Sequence, residues 1–252
     1  MGSSDTWLLD AGNSQLKFAV LRGGEISHQW QIPSDQAHLA QQSLDGLLKL
    51  SGSDQPPRQV VYSSVIPKGL QPLLALFEKS HICRTEVTQK MLESHGFRCD
   101  ASGVGVDRLV AGFSAWGKYR QDLIVVDLGT ATTFDLVTKK GCFLGGAIFP
   151  GLNLCKQALT RHAEALKDVK LNYPNDIIGK NSTEAIQSGI LFGYTSLVET
   201  MLVKFAASHG AALLSIATGG LAPIIYRQTK NLEAFEPNLT LDGLAYIARL
   251  EA

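Results

Sequence analysis

The sequence predicts an α/β protein built from two duplicated subdomains that face one another across a cleft. Three observations predict it. The stretch LLDAGNSQLKFAV (residues 8–20) runs as apolar strand, Asp-x-Gly turn and alternating strand. IVVDLGTATTFDLV (residues 124–137) repeats that plan in the second half of the chain. A further apolar strand, in ALLSIATGGLAP, ends in a glycine turn of its own, and helical patterns alternate with all of these strands. The repeat begins again near residues 110–120, which gives expected domains of residues 1–115 and 116–252. No Pro-, Gly- or Ser-rich linker separates them, so their boundary is expected to be close-packed.

Residues 7–21 read as a hairpin: WLLD, a tight turn AGNS, then the alternation of QLKFAV. GGEISHQWQI supplies another turn and strand, and a helical pattern follows over residues 36–50. SGSDQPPR reads as a loop and QVVYSSVI as a strand. PKGLQPLLALFEKS is a helix whose apolar residues recur at three and four. RTEVTQKML reads as a short strand with its exit, residues 95–104 as a loop, and VDRLVAGFSAWGKY as an amphipathic helix. In the second half DLIVVDLG is a buried strand, and ATTFDLVTKKGCFLGGAIFPG holds two more. Helices follow in NLCKQALTRHAEAL, NSTEAIQSGILFGYTSLVETMLVKFAASHG and LTLDGLAYIARLEA.

Composition narrows the function. The chain has 252 residues, 45% hydrophobic and 18% charged, as expected for an ordinary soluble globular protein rather than a disordered one. Lys+Arg and Asp+Glu balance at 23 each, so no electrostatic footprint for nucleic acid or an anionic membrane is expected. No uninterrupted apolar run approaches the ~20 residues that span a bilayer, and Asp10 arrives too early for a signal-peptide core. Cys83, Cys99, Cys142 and Cys155 form no CxxC pair and read as reduced thiols of a cytoplasmic protein. The six histidines show no metal-binding spacing. Trp7, Trp30 and Trp116 read as core or interface residues.

The two Asp-x-Gly turns point to phosphate. A single such turn suits any hairpin, but two copies plus the TGG turn at residues 218–220 suggest a clamped nucleotide. Glycine at Gly12 and Gly129 allows positive φ and removes the Cβ, so a ligand can approach the backbone closely. Successive N–H groups would then form an anion-binding nest. Asn13, Ser14, Thr130, Thr132 and Thr133 add donors, and Lys17 can reach back from the returning strand. A carboxylate beside phosphate is repulsive unless a cation lies between them, so Asp10 and Asp127 each imply a metal ion.

In order along the chain, DAGNSQLK (residues 10–17), GVDR (residues 105–108), DLGTATTFD (residues 127–135), GGAIFPGLNLCKQAL, NSTEAIQSG (residues 181–189), TGG and PNLTLDGL resemble the motifs of the type III pantothenate kinases. These belong to the acetate kinase, sugar kinase, Hsp70 and actin superfamily. The resemblance implies duplicated ribonuclease H-like subdomains, mixed sheets flanked by helices, and ATP-dependent phosphorylation of the pantothenate hydroxyl toward coenzyme A. It places Asp10, Ala11, Gly12, Asn13, Ser14, Gln15, Leu16, Lys17, Thr130 and Gly219 at ATP. Asp107 takes the proton-acceptor position, with Arg108 beside it. Phe97, Gly105, Val106, Asp107, Arg108 and Thr183 take the substrate side. Asp127 takes a monovalent cation, potassium or ammonium, and Asp10 holds Mg²⁺ through phosphate. A homodimer with a shared substrate pocket is implied, with residues 181–207 contributing to the interface. The segment HGFRCDASGVGVDR departs from the family pattern: Phe97 or Arg98 stands where a tyrosine is usual, and no proline follows. Two other readings stay open at this point: another small-molecule kinase or phosphatase of the superfamily, and a non-catalytic nucleotide-binding regulator of the same fold.

Overall fold

The computed structural model describes residues 5–36, 44–161 and 169–251. The chain divides into two compact units. The first comprises Met1–Lys118, Gly141–Phe143 and Asn238–Ala252, and the second Tyr119–Lys140 and Leu144–Pro237.

The first unit opens with β1 (Thr6–Ala11), β2 (Gln15–Arg22) and β3 (Glu25–Pro33). Next come α1 (Leu44–Ser51), β4 (Gln59–Ser64), α2 (Pro67–Lys79), β5 (Cys83–Glu86), α3 (Gln89–Ser94), β6 (Arg98–Cys99) and α4 (Val106–Tyr119). The second unit follows with β7 (Leu123–Leu128), β8 (Ala131–Val137), β9 (Cys142–Pro150), α5 (Leu152–Thr160), α6 (Ser182–His209), β10 (Leu214–Thr218), α7 (Ala222–Tyr226) and β11 (Ala234–Phe235). The last element, α8 (Leu239–Leu250), returns to the first unit.

The first sheet has the order β3-β2-β1-β4-β5. Its hairpin neighbours are antiparallel, and β1-β4 and β4-β5 are parallel. The order recurs in the second sheet as β9-β8-β7-β10-β11. There β7-β8 is antiparallel, and β7-β10 and β10-β11 are parallel. The duplication expected from the two strand–turn–strand stretches is therefore a duplication of sheet topology. β9 starts within the first unit, where Cys142 and Phe143 pair with β6, and then runs on into the second.

Strand alternation decides which side chains reach the core. Trp7, Leu9 and Ala11 of β1 join Phe18, Leu47, Leu70, Leu73 and Phe77 in one cluster. Phe18 stacks on Trp30 with centroids 4.9 Å apart. In the second unit Ile124, Val126 and Leu128 pack with Leu191, Tyr194, Val198 and Leu202 of α6. That helix is capped by the Asn181 side chain, which accepts from the Glu184 N–H at 3.0 Å, and it ends at Gly210 in the left-handed region. Among the described residues α6 is the one helix that is long and apolar enough, by length and composition, to cross a membrane.

Most elements fall where the sequence pattern predicts. The exit after β5 is itself a helix, α3, because the Thr88 hydroxyl accepts from the Met91 N–H and starts a turn. The short elements β6, α7 and β11 carry no periodic pattern of their own. Of the helix expected over residues 36–50, residues 37–43 lie outside the described residues. So do residues 162–166 of the helix expected from residue 153, and Ala252 of the last one.

α8 packs close to α4 because Gly243 has no side chain. A Cβ there would lie 2.7 Å from both the Val110 carbonyl oxygen and its Cγ1. Gly243→Ala is expected to force the helices apart and destabilise the protein by roughly 1–3 kcal/mol, read as a lower urea midpoint.

Candidate active site

Asp10 and Asp127 occupy equivalent places, each the residue before the last of its strand, β1 or β7. Asp10 stands in register with Lys17 on β2 and Ser63 on β4. All three side chains therefore emerge on the face opposite Trp7 and Leu9. The Ser63 hydroxyl donates to Asp10 Oδ1 at 3.2 Å. Burial pushes the Asp10 carboxyl up to about 6; Lys17 pulls it down, Asp107 pushes it further up, and the Ser63 hydrogen bond lowers it. Asp127 stands in register with Thr133 on β8 and Thr218 on β10.

The turns themselves differ from expectation in one respect. Gly12 and Gly129 do not take positive φ. Each closes its hairpin tightly instead: Gly12 N–H donates to the Gln15 carbonyl and Gly129 N–H to the Ala131 carbonyl, both at 3.0 Å. These two amides are consumed within the turn and are not part of a nest. Ser34, which sequence patterns did not single out, pins the first turn from outside. Its hydroxyl donates to the Gly12 carbonyl at 2.8 Å and its N–H to the Ser14 carbonyl at 3.0 Å. Ala11 and Leu16 are buried, Asn13 and Ser14 are exposed, and Gln15 Oε1 is buried without a hydrogen-bond partner among the described residues.

The glycine that does need positive φ is Gly219, at +94° after β10. A Cβ there would sit 2.3 Å from Asp127 Oδ1 and 2.7 Å from the Leu128 carbonyl. The TGG turn thus lies directly against the end of β7. Thr130 is exposed at the tip of the second turn, and Gly151 N–H donates to its carbonyl at 3.1 Å.

Asp107 lies in the first turn of α4, where the helix dipole favours a carboxylate. Its Oδ1 accepts from the Arg108 N–H at 2.8 Å and folds over Gly105, where a Cβ would lie only 2.5 Å away. Gly105 is therefore the residue that lets this carboxylate take its place. The Arg108 guanidinium stands 5.8 Å from the Phe143 ring centroid, a cation–π contact within the first unit. Gly105 and Val106 also line a cavity of about 500 Å³ with Ser64, Val65, Glu86 and Thr88. Phe97 is enclosed beneath α4, with its ring 5.6 Å from Phe113 and 5.9 Å from Trp116. Thr183 is exposed in the first turn of α6. The first unit thus brings Asp10, Lys17, Ser63 and Asp107 together, and the second brings Asp127, Thr130 and Gly219 together.

The family model of the type III pantothenate kinases matches residues 7–204. The chain belongs to that family. Its match to the type III pantothenate kinases spans both Asp-x-Gly turns, the 105–108 motif and Thr183. Relatives carrying that name include one from Acidiphilium cryptum, 35% identical over 253 residues that cover 96% of this chain and 93% of the relative. Another, from Desulfosudis oleivorans, is 35% identical over 249 residues, 95% of this chain and 97% of the relative. Solved structures extend the likeness at the level of fold. A ROK family glucokinase from Streptomyces griseus, in complex with glucose and AMPPNP, superposes with a TM-score of 0.55 at 11% identity, covering 98% and 99% of the two chains. Component A of the (R)-2-hydroxyglutaryl-CoA dehydratase of Acidaminococcus fermentans gives 0.56 at 14% identity, covering 99% and 98%. The fold is that of the actin, Hsp70 and sugar kinase superfamily, as the sequence predicts.

The raised Asp10 carboxyl makes stability depend on pH. Between its ordinary value of 3.8 and about 6 the unfolded chain ionises this group while the folded chain keeps it protonated. Stability from this site is therefore full below pH 3.8, falls as pH rises through 6, and stays reduced above. In the absence of nucleotide and metal ions, Asp10→Asn is expected to raise stability by about 1–3 kcal/mol at pH 7.5 and to leave it unchanged near pH 4. Chemical denaturation at the two pH values measures the difference.

Proposed function

We propose that this chain phosphorylates the hydroxyl of pantothenate with ATP, the first step of coenzyme A biosynthesis, with Asp107 as proton acceptor. The observation that carries the residue assignment is the grouping of two unlike carboxylates in the first unit. Asp10 is buried, and its carboxyl is raised first by that burial and further by Asp107, whereas Asp107 is only part-buried, at a helix N-terminus. One suits a cation on the phosphate chain, the other a substrate hydroxyl.

Phosphoryl transfer asks the protein mainly for alignment and charge stabilisation. Asp107 accepts the hydrogen bond of the hydroxyl, orients its oxygen toward the γ-phosphate and takes the proton late. Arg108 supplies a fixed positive charge for the pantothenate carboxylate or the transferring group. Residues 10–17 hold the phosphate chain, with Lys17 as the charged donor. Gly105, Val106 and Thr183 shape the substrate side. Phe97 contributes by packing beneath α4. Thr130 and Gly219 contact the nucleotide.

Among the described residues no three His, Cys, Asp or Glu side chains form a metal cage. Asp10 would hold Mg²⁺ by way of the bound phosphates, and that ion would supply positive charge to the phosphate chain. Asp127 suits a monovalent cation, potassium or ammonium. Its register partner on β8 is Thr133, where Asp10 has Lys17.

A coupled assay with ATP, pantothenate and potassium tests the reading. Asp107→Asn is expected to keep the melting temperature and to lose about 10²–10⁴-fold in turnover. Near wild-type turnover of that variant would remove Asp107 from the mechanism, and absence of wild-type turnover on pantothenate would remove the reading.

We further propose a homodimer with α6 at its interface. Ile177, Ile178 and Val203, on and just before that helix, are exposed at 64%, 72% and 61%, which is costly for branched aliphatic side chains unless another surface covers them. This reading makes α6 a core and interface helix, with no bilayer involved. Sedimentation equilibrium is expected to give twice the chain mass, and Ile178→Asp to shift the protein toward monomer.

A further inference from the structure

Tyr194 stands outside every motif used above, yet it braces the second phosphate turn from behind. It is buried on α6. Its Oη lies 2.5 Å from Thr132 Oγ1 and 2.9 Å from the Pro150 carbonyl oxygen. A carbonyl only accepts, and a tyrosine hydroxyl has one hydrogen. The Tyr194 hydroxyl therefore donates to Pro150, and the Thr132 hydroxyl donates to Tyr194 Oη, so Thr132, itself buried, does not supply the phosphate donor that its place in the turn predicts. This arrangement satisfies all three groups in a buried place, where an unpartnered one would be costly.

Both ends of this relay lead to Thr130. Thr132 stands in register with Leu128, the last residue of β7, so it holds the base of the hairpin whose tip is Gly129 and Thr130. Pro150 precedes Gly151, whose N–H donates to the Thr130 carbonyl at 3.1 Å. The approach there is so close that a Cβ on Gly151 would lie 2.3 Å from that oxygen. The Phe149 and Tyr194 rings meet edge-to-face with centroids 5.9 Å apart, a contact from the residue that precedes Pro150.

We infer that Tyr194 is a positioning residue for nucleotide binding: its hydroxyl relay locks the β7–β8 turn to the Pro150–Gly151 segment and so sets where Thr130 stands. The inference rests on the assignment of Thr130 as an ATP contact. It adds a residue that touches neither substrate yet governs the second turn. Tyr194→Phe keeps the ring and removes only the relay.

The test is titration calorimetry of ADP binding to the full chain in magnesium and potassium, with a thermal melt beside it. Tyr194→Phe is expected to weaken ADP by about 5- to 10-fold, the size of one net hydrogen bond, and to raise the KM for ATP in parallel. kcat is expected to stay within about twofold, a difference inside the error of such comparisons. Thr132→Val is expected to match Tyr194→Phe, Thr132→Ser to keep wild-type affinity, and the double variant Tyr194→Phe/Thr132→Val to be no weaker than either single one, because both break one relay. Should Tyr194→Phe not fold, the Thr132 pair reads the same relay from its other end. ADP affinity within about twofold of wild type in the folded relay-breaking variants, whatever their melting temperatures, overturns the inference. Binding is measured without catalysis, so that outcome leaves the kinase reading untouched, whereas failure of the kinase reading is seen in wild-type turnover alone.

Discussion

The charge of Asp10 is placed where water hardly reaches it, and much of the first unit is arranged around that fact. A buried carboxylate is tolerated only with partners. Ser63 reaches it from β4, and Lys17 stands across the hairpin. Neither brings the group back to its ordinary range, since burial and the nearby Asp107 outweigh them. The unrelieved charge is what a phosphate-bound cation would neutralise. Under the function proposed above, the same residue would weaken the empty protein and serve the loaded one, the exchange often found where function sets a local demand against stability.

The two units show one topology put to two uses. Strand order and the place of the aspartate are the same in both sheets. The chemistry beside the aspartate is not: Lys17 and Ser63 flank Asp10, and Thr133 and Thr218 flank Asp127. A lysine brings its own positive charge to a phosphate, whereas hydroxyls leave that charge to a bound ion. The glycines diverge as well. Gly12 and Gly129 each close their own turn, but the second turn is also crowded by Gly219 from one side and Gly151 from another.

Much of this was legible in the sequence because it rests on local periodicity. The alternation of Trp7 and Leu9 with Leu8 and Asp10, the three-four spacing of α2 and the Asn181 cap of α6 are short-range signals. The family motifs add expected roles for Gly105, Val106, Asp107, Arg108, Asp127 and Thr130, which only the experiments above can test. What stayed hidden depends on contacts distant along the chain. Ser34 and Ser63 look like ordinary strand-end serines until the sheet brings them to the first turn. Tyr194 lies within an apolar helix, and nothing local links it to Thr132. Gly12 and Gly129 have the freedom for positive φ, but hairpin closure meets the need for tightness without it. Phe97 took its substrate role from position alone, and its surroundings are those of a packing residue.

The return of α8 to the first unit bears on how the polypeptide is made. Its Gly243 nests against Val110 and its Tyr246 ring stacks on Phe113 at 5.3 Å, so α4 lacks this cover until residues 239–250 have been made. Synthesis at ~5–20 residues per second would leave that apolar surface naked for several seconds while the middle of the chain is still emerging. The first unit is then completed only after the second has been made, and loss of residues 239–250 would damage the first unit more than the second, which directly precedes them in the chain.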